Sequence, residues 1–507
     1  MTVVSSPGKV LLAGGYLVLD PKYSGIVVST SSRFYTVVED KVRDGARGSE
    51  SPIQIRVRSP QFVTATWVYL VHVDEAAVRV EQLADDVSTT STKNKFVQLA
   101  IERVLLLALE LKGAASLRGQ LAAGYDIVIV GDNDFYSQRA QLAARNLQPT
   151  LENLFQLPPF LSTGVKLAEV HKTGLGSSAA LITSLVSALL LHLSVIPKDS
   201  FTSEGGLDSA SEGRKLAHNT AQYIHCLAQG KVGSGFDVSS AVFGSQLYTR
   251  FDPQVIQPLM EENLGSTQSL SRILSPLNPA WDYRVEPFKL PPQTRLMLAD
   301  VDAGSDTPSL VGKVLKWRKE NSTEANALWD NLDSTNKSLA KTLLKLSSLA
   351  EQNSDEYSRV VKYLASLQSV QWLAHPAIPP NELQVIETFA EVHQHSEEIR
   401  AKMRDMGSRS DVPIEPPEQT ELLDACVSVA GVIGGGVPGA GGYDAIWLLV
   451  FEPKDIVDSS QLPSSRVEAV WSSWTKLDVS PLSAKESVAK GVRVENIESI
   501  KGLKELL

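Results

Sequence analysis

The sequence predicts an α+β protein of two domains, and three observations carry this. Runs of β-branched and aromatic residues bounded by turn residues recur at 26–28, 34–38, 53–57, 125–130, 246–251, 294–301 and 445–451. Amphipathic patterns with helical spacing occupy 96–111, 212–228, 323–350, 355–371 and 382–404. Prolines recur and the patterning weakens over 252–285. That stretch divides an N-terminal part, 1–255, from a C-terminal part, 286–507, with 256–285 connecting them. At 507 residues the chain is long enough to bury both cores.

Composition narrows the function classes. Hydrophobic residues are 43 % and charged residues 21 %, as in an ordinary soluble globular protein. A net charge of −10 argues against nucleic acid or an anionic membrane as the main partner. A small anionic substrate stays open, because screening over about 8 Å lets a local lysine cluster dominate inside a cleft. Cys226 and Cys426 are too few for a disulfide framework or a zinc site and read as core residues. No basic segment followed by an apolar one opens the chain, so no signal peptide is evident. The longest apolar run, 179–193, falls short of the ~20 residues of a membrane span and is interrupted by Ser184, Ser187 and His192. The expectation is a cytoplasmic protein without membrane insertion.

Taken in order, 10–13 and 16–19 read as strands flanking Gly14-Gly15, with further strands at 26–28 and 34–38. Ser6-Pro7-Gly8-Lys9 sets a lysine beside the first strand; a solvated surface lysine is its plainer reading. Residues 53–57 alternate as a strand, and 62–73 has room for another pair. Lys93-Asn94-Lys95 opens a helix with Phe96, Leu99, Ala100, Val104 and Leu107 on one face. The strand 125–130 ends in the turn Gly131-Asp132-Asn133-Asp134, and 137–170 reads as a loop. A polar linker, 200–209, precedes the helix 212–228, which stops at Gly230. After the strand 294–301 comes a turn over 304–309 and then the helical segment 310–408. Residues 413–417 break it, a helix follows at 420–430, and 445–451 is a strongly apolar strand.

Three glycine-rich elements carry the chemical signal. The first is Lys172-Thr173-Gly174-Leu175-Gly176-Ser177-Ser178-Ala179-Ala180. Two glycines a residue apart let backbone N–H groups turn toward an anion. Two hydroxyls and a buried helix follow, and that helix points its unpaired amides and positive dipole end into the loop. The plainer reading is a tight turn capped by Ser177. The second element is Lys231-Val232-Gly233-Ser234-Gly235-Phe236-Asp237, and the third spans 431–442. Three such elements, two with lysines beside them, point to a polyanion.

Other motifs fail on context. Gly434, Gly436 and Gly439 fit G-x-G-x-x-G, yet a helix precedes and a strand follows, the reverse of a dinucleotide site. Neither Gly230-Lys231-Val232 nor Gly312-Lys313-Val314 completes a Walker A loop. His393 and His395 lack a third metal ligand and read as a solvated helix face.

Pro7-Gly8-Lys9, Gly174-Leu175-Gly176-Ser177-Ser178-Ala179 and the C-terminal glycine block resemble, in order along the whole chain, the three motifs of the GHMP small-molecule kinases. Gly14-Gly15-Tyr16-Leu17-Val18-Leu19 and the stretches 229–237, 415–424 and 437–445 are similar to the fungal-type phosphomevalonate kinases within that superfamily. The resemblance implies a two-domain α+β fold with the active site in the cleft between domains. It implies ATP phosphorylating mevalonate 5-phosphate to the 5-diphosphate, in the mevalonate pathway of isoprenoid and sterol biosynthesis. Lys9 and Asp237 would be the catalytic pair. Lys172, Gly174, Leu175, Gly176, Ser177, Ser178 and Ala179 would hold ATP, joined by Asn94 at the start of the first helix. Mg²⁺ would sit near Ser177 or Ser178, with Ser178 as its ligand. Lys231, Ser234, Gly439, Ala440 and Gly441 would face the substrate.

Two departures stand out. Gly15 occupies the place where many relatives have glutamate. At the place of the Mg²⁺-binding glutamate of mevalonate kinases this chain has His225 or a near neighbour, leaving Mg²⁺ with fewer protein ligands and more waters. Lys9, Lys172 and Lys231 are expected to converge on the cleft, with Lys313 and Lys316 behind them. The alternatives are a GHMP kinase for another acceptor, mevalonate or a sugar, and a non-catalytic ligand sensor on the same fold. Retention of Lys9, Ser177, Ser178 and Asp237 together argues against the sensor.

Overall fold

Strand β1, Thr2–Ala13, is buried from Val3 onward except at Lys9, which is half-buried. It belongs to a computed structural model that describes every residue except 42–51, 84–92, 202–210, 261–268, 302–306, 375–378, 455, 457 and 488–490. β1 pairs antiparallel with β2, Ser24–Asp40, and the register shifts between Pro7 and Lys9. Pro7 has no N–H for the ladder, so a bulge falls there and re-aims the next side chains. That bulge delivers Lys9 to the cleft.

The strands that follow are β3 (Ile53–Arg58), β4 (Thr66–Val73), β5 (Val78–Gln82), β6 (Tyr125–Gly131), β7 (Gln246–Thr249) and β8 (Arg284–Pro287). After them come β9 (Thr294–Val301), β10 (Val432–Gly436), β11 (Ala445–Phe451), β12 (Val479–Leu482) and β13 (Arg493–Val494). Among the described residues the first sheet runs β13-β1-β2-β6-β3-β4-β5, with β7 joining β2 to β8. Among the described residues only its β3–β6 pairing is parallel. The second sheet, β10-β11-β9-β12, is antiparallel throughout.

Four helices build the core behind the first sheet: α1 (Lys95–Lys112), α2 (Ser177–His192), α3 (Glu212–Gln229) and α4 (Phe236–Phe243). α2 is apolar all round and buried along nearly its whole length, as its run of Ala, Leu, Ile and Val dictates. The opposite face of that sheet is covered by the C-terminal segment, where Ile497 and Leu503 pack on Val3, Val37 and Val128. A helical layer of α5 (Thr307–Glu320), α6 (Ser322–Gln352), α7 (Ser354–Leu364) and α8 (Pro380–Ser410) lies beside the second sheet. It meets the first sheet where α6 packs on β2 and at the turn Asp20–Tyr23 that leads into that strand. There Arg318 donates to Asp20 at 2.7 Å and Tyr23 donates to Asp330 at 2.9 Å. Asp134 ties the two sheets together elsewhere, accepting from Ser483 N at 2.7 Å and from Ser32 Oγ at 2.7 Å.

Several elements differ from expectation. Residues 16–19 are not a strand. Tyr16 has φ 65° and Leu17–Leu19 forms a 3₁₀ turn, because the chain doubles back at Gly14. The stretches 26–28 and 34–38 are one strand, and 62–73 holds the single strand β4. The supposed loop 137–170 contains short helices, Arg139–Ala143 and Leu151–Phe155. The helix expected at 420–430 is Pro417–Val427, opened by a proline whose missing N–H costs nothing there. Residues 202–209 of the polar linker and 304–306 of the turn lie outside the described residues.

Candidate active site

The first glycine element forms the loop into α2. Gly174 and Gly176 have φ 75° and 77°, a left-handed conformation costly for any residue with a Cβ. Gly176 caps α2, and no side chain caps that helix start, Ser177 included. The first-turn amides are therefore left for a ligand. A Cβ on Gly174 would meet nothing within 4 Å. A Cβ on Gly176 would lie 2.9 Å from Lys9 Cε, so the loop and Lys9 are packed together.

Lys9 binds this loop twice. Its backbone N–H donates to Leu175 O at 2.9 Å, and Nζ donates to Gly174 O at 3.0 Å. Nζ also lies 5.5 Å from the centroid of the Phe236 ring. Burial pulls the Lys9 pKa down, and the charge of Asp237 opposes that pull.

Asp237 stands in the first turn of α4, after Gly235 in a left-handed conformation, and its Oδ1 accepts from Val238 N at 2.9 Å. His225 of α3 reaches up beneath it: Nε2 is 3.8 Å from Asp237 Oδ2 and 3.1 Å from Ser178 Oγ. The second glycine turn is held from behind. Arg250 donates to Val232 O at 3.1 Å, to Gly233 O at 2.6 Å and to Leu19 O at 2.5 Å. Tyr248 OH donates to Ser234 O at 2.9 Å.

The third wall comes from 438–441. Gly439 N donates to Leu11 O at 3.3 Å, and Tyr16 OH donates to Ala440 O at 2.7 Å. Between the walls is a cleft of about 220 Å³ lined by Lys9, Gly174, Leu175, Ser234, Gly439, Ala440 and Gly441, with Tyr16, Thr173, Phe236 and Asp444.

No family model matches the chain. It is 40 % identical over 465 residues to the peroxisomal phosphomevalonate kinase of Arabidopsis thaliana, covering 88 % of this chain and 89 % of that protein. It is 37 % identical over 503 residues to the phosphomevalonate kinase of Aspergillus fumigatus, covering 94 % of this chain and 90 % of that one. The chain belongs to the phosphomevalonate kinase family. In fold it is similar to the phosphomevalonate kinase of Streptococcus pneumoniae, with TM-score 0.54, 16 % identity and coverage of 96 % of this chain and 100 % of that one. A protein from Listeria innocua has TM-score 0.60, 16 % identity and coverage of 97 % and 99 %. The α+β kinase fold expected from the motifs holds.

For a phosphomevalonate kinase family member the placement of the expected site residues is informative. Gly176, Ser177, Ser178 and Ala179 continue from the cleft wall into α2; Ala179 is fully buried and offers only its backbone. Lys172 and Lys231 are exposed and are not among the residues lining the cleft. Asn94 caps α1, its side chain accepting from Val97 N at 3.3 Å. Lys313 and Lys316 are on the exposed side of α5, where Lys316 pairs with Glu320 at 3.9 Å. Thr173 belongs to the expected loop, whereas Tyr16 and Asp444 were not expected to line the cleft. Tyr16 was hidden because it reads as a strand residue.

The donor set suits Mg²⁺ carried in with a nucleotide. Among the described residues no group of three His, Cys, Asp or Glu side chains could hold a metal ion alone. Ser178 Oγ and the Asp237 carboxylate are oxygen donors gathered at the same edge of His225, 3.1 Å and 3.8 Å from its Nε2. Mg²⁺ takes oxygen ligands, and one or two from protein suffice when phosphates and waters supply the rest.

Proposed function

We propose that this chain transfers the γ-phosphoryl group of ATP to the phosphate of (R)-5-phosphomevalonate, giving ADP and 5-diphosphomevalonate. The observation that carries the reading is Lys9 Nζ, hydrogen-bonded to the Gly174 carbonyl inside a cleft walled by the three glycine turns. Relatives named phosphomevalonate kinase match the chain over most of its length. The Streptococcus pneumoniae protein of similar fold was solved with phosphomevalonate and AMPPNP.

The acceptor shapes the mechanism. A phosphomonoester has its second pKa near ~6, so its oxygen is already mostly ionised at neutral pH and needs no strong base. The harder task is to bring two polyanions together, and phosphoryl transfer depends mainly on positioning and charge neutralisation. The α2 amides and the loop 172–180 receive the ATP phosphates. Lys9 places its ammonium between the two anions in a site where burial strengthens its field. Asp237 and Ser178 orient the metal–nucleotide, and Mg²⁺ when bound neutralises charge on the triphosphate. Ser234 and the 439–441 turn hold the acceptor, while Lys231, Lys172 and Asn94, outside the cleft lining, act on the bound anions from a distance. The division into 1–255 and 286–507 about the connecting stretch 256–285 belongs to the same reading.

An ADP-release assay comparing mevalonate 5-phosphate, mevalonate and sugars tests it. Turnover with mevalonate 5-phosphate alone is expected. Preference for another acceptor would make this a kinase of different specificity, and ATP binding without turnover would make it a sensor. A cytoplasmic location is part of the proposal, since Cys226 and Cys426 are both free and buried. The Arabidopsis relative is named peroxisomal, and imaging of a tagged chain decides between the two.

A further inference from the structure

His225 lies under the site with no direct opening to the cleft, and it contacts the residues that do the positioning. Its ring is 3 % exposed. Three groups face its Nε2: Ser178 Oγ at 3.1 Å, the Gln229 side-chain nitrogen at 3.1 Å and Asp237 Oδ2 at 3.8 Å. An amide NH₂ can only donate. The ring nitrogen that Gln229 meets is therefore an acceptor, and its one lone pair is shared between the Gln229 amide and the Ser178 hydroxyl, which donates to it. With its proton turned down into His225, Ser178 Oγ keeps its lone pairs for the side facing the nucleotide loop. The 3.8 Å gap to Asp237 is too long for a hydrogen bond, so the carboxylate is not consumed by the ring.

We propose that His225 is a positioning residue for the metal–nucleotide complex. By accepting the Ser178 proton it fixes the serine as an oxygen donor, and at 3.8 Å from Asp237 it leaves that carboxylate unbonded to the ring as a second one. The histidine acts through the serine. The inference rests on the phosphotransfer reading only in taking the bound group to be a divalent cation with ATP, and it does not depend on the acceptor.

Two quantities test it in wild type and in His225→Leu, His225→Gln, Ser178→Ala and the Ser178→Ala/His225→Leu double variant. One is Mn²⁺ affinity for the enzyme–AMPPNP complex, read from the spin-resonance signal of free Mn²⁺. The other is AMPPNP affinity in chelator, read by calorimetry. His225→Leu is expected to weaken Mn²⁺ binding by about tenfold or more, the range for removing a partner of a metal ligand. Its metal-free nucleotide affinity should be unchanged, which a loss of packing alone would not give. Ser178→Ala should weaken Mn²⁺ similarly, and the double variant no further. His225→Gln, whose side-chain oxygen can still accept from Ser178, should recover most of the affinity. Unchanged Mn²⁺ affinity in His225→Leu, or losses that multiply in the double variant, would overturn the proposal. If His225→Leu does not fold, Ser178→Ala measured in the wild-type and His225→Gln backgrounds decides: equal losses support it, and no loss in either background sinks it. Because no acceptor is present, failure of the phosphomevalonate reading would leave these results intact.

Discussion

The carbonyl oxygen of Gly439 lies in the space that a Cβ on Gly15 would occupy. The first motif and the third wall of the cleft thus meet backbone to backbone, and a glutamate at position 15 has no room. Gly15→Ala is expected to part them. The clash is with main chain, which cannot rotate away, so a cost of about 1–3 kcal/mol is expected. Gly439→Ala makes a useful contrast. Its Cβ would meet nothing within 4 Å, and only its φ of 66° is penalised, at roughly 1–2 kcal/mol. Thermal unfolding should show losses in both. Acceptor KM should rise far more in Gly15→Ala, and equal KM values in the two variants would argue against backbone contact shaping the cleft.

Lys9 should give activity and stability opposite pH trends. Its folded pKa is lowered by burial, so between that value and 10.5 the unfolded chain binds more protons than the folded one. Stability contributed by Lys9 therefore rises with pH through this window, while below it the buried charge is a cost. Transfer needs the charged amine and should fall as pH rises through the same lowered pKa. Lys9→Met is expected to abolish turnover yet melt higher than wild type at neutral pH, with the gap closing toward pH 10.5. Asp237→Ala should instead lose activity through a misplaced metal–nucleotide, with no rescue at raised pH. Rescue of Asp237→Ala by alkali would reassign it as a base.

Legibility in the sequence tracked how local the cause was. Helix α2 and strands β9 and β11 were readable because continuous apolar runs with clear ends dictate buried elements. The turn Leu17–Leu19 was misread because its apolar residues suit a strand equally well. The deciding facts are Tyr16 at φ 65° and the approach of Gly439, which local pattern does not encode. The left-handed glycine turn into a helix start was readable from its own residues. The grouping of Ser178, His225 and Asp237 was not, since it depends on how α2, α3 and α4 pack. Only the resemblance drew attention to position 225.

Gly176 and Gly174 should respond differently to a methyl group. Both have positive φ, so each Ala variant carries roughly 1–2 kcal/mol of backbone strain. At Gly176 the new Cβ also presses on Lys9 Cε at 2.9 Å, whereas at Gly174 it meets open space. Gly176→Ala should therefore lower kcat by displacing Lys9. Gly174→Ala should mainly raise the KM for ATP by filling the space beside the loop. Steady-state kinetics with each substrate varied checks this, and identical kcat losses would count against a Lys9-specific effect.

Glu486 supplies a pH dependence remote from the cleft. Its carboxylate accepts from Leu290 N at 3.0 Å where the C-terminal segment returns to the first sheet, and burial raises its pKa from 4.5 to about 7. Between those values the folded chain holds the proton more tightly than the unfolded one. Its stabilising contribution is complete below pH 4.5 and is lost as pH rises through about 7. Glu486→Gln keeps an oxygen for Leu290 N and carries no charge. It should match wild type near pH 4 and exceed it by about 2 kcal/mol at pH 8, allowing for partial solvent exposure. Denaturant unfolding of both proteins across this range checks the sign. Two stability curves that stay parallel would show that Glu486 carries no shifted proton, and a gap that widens toward acid would reverse the assignment.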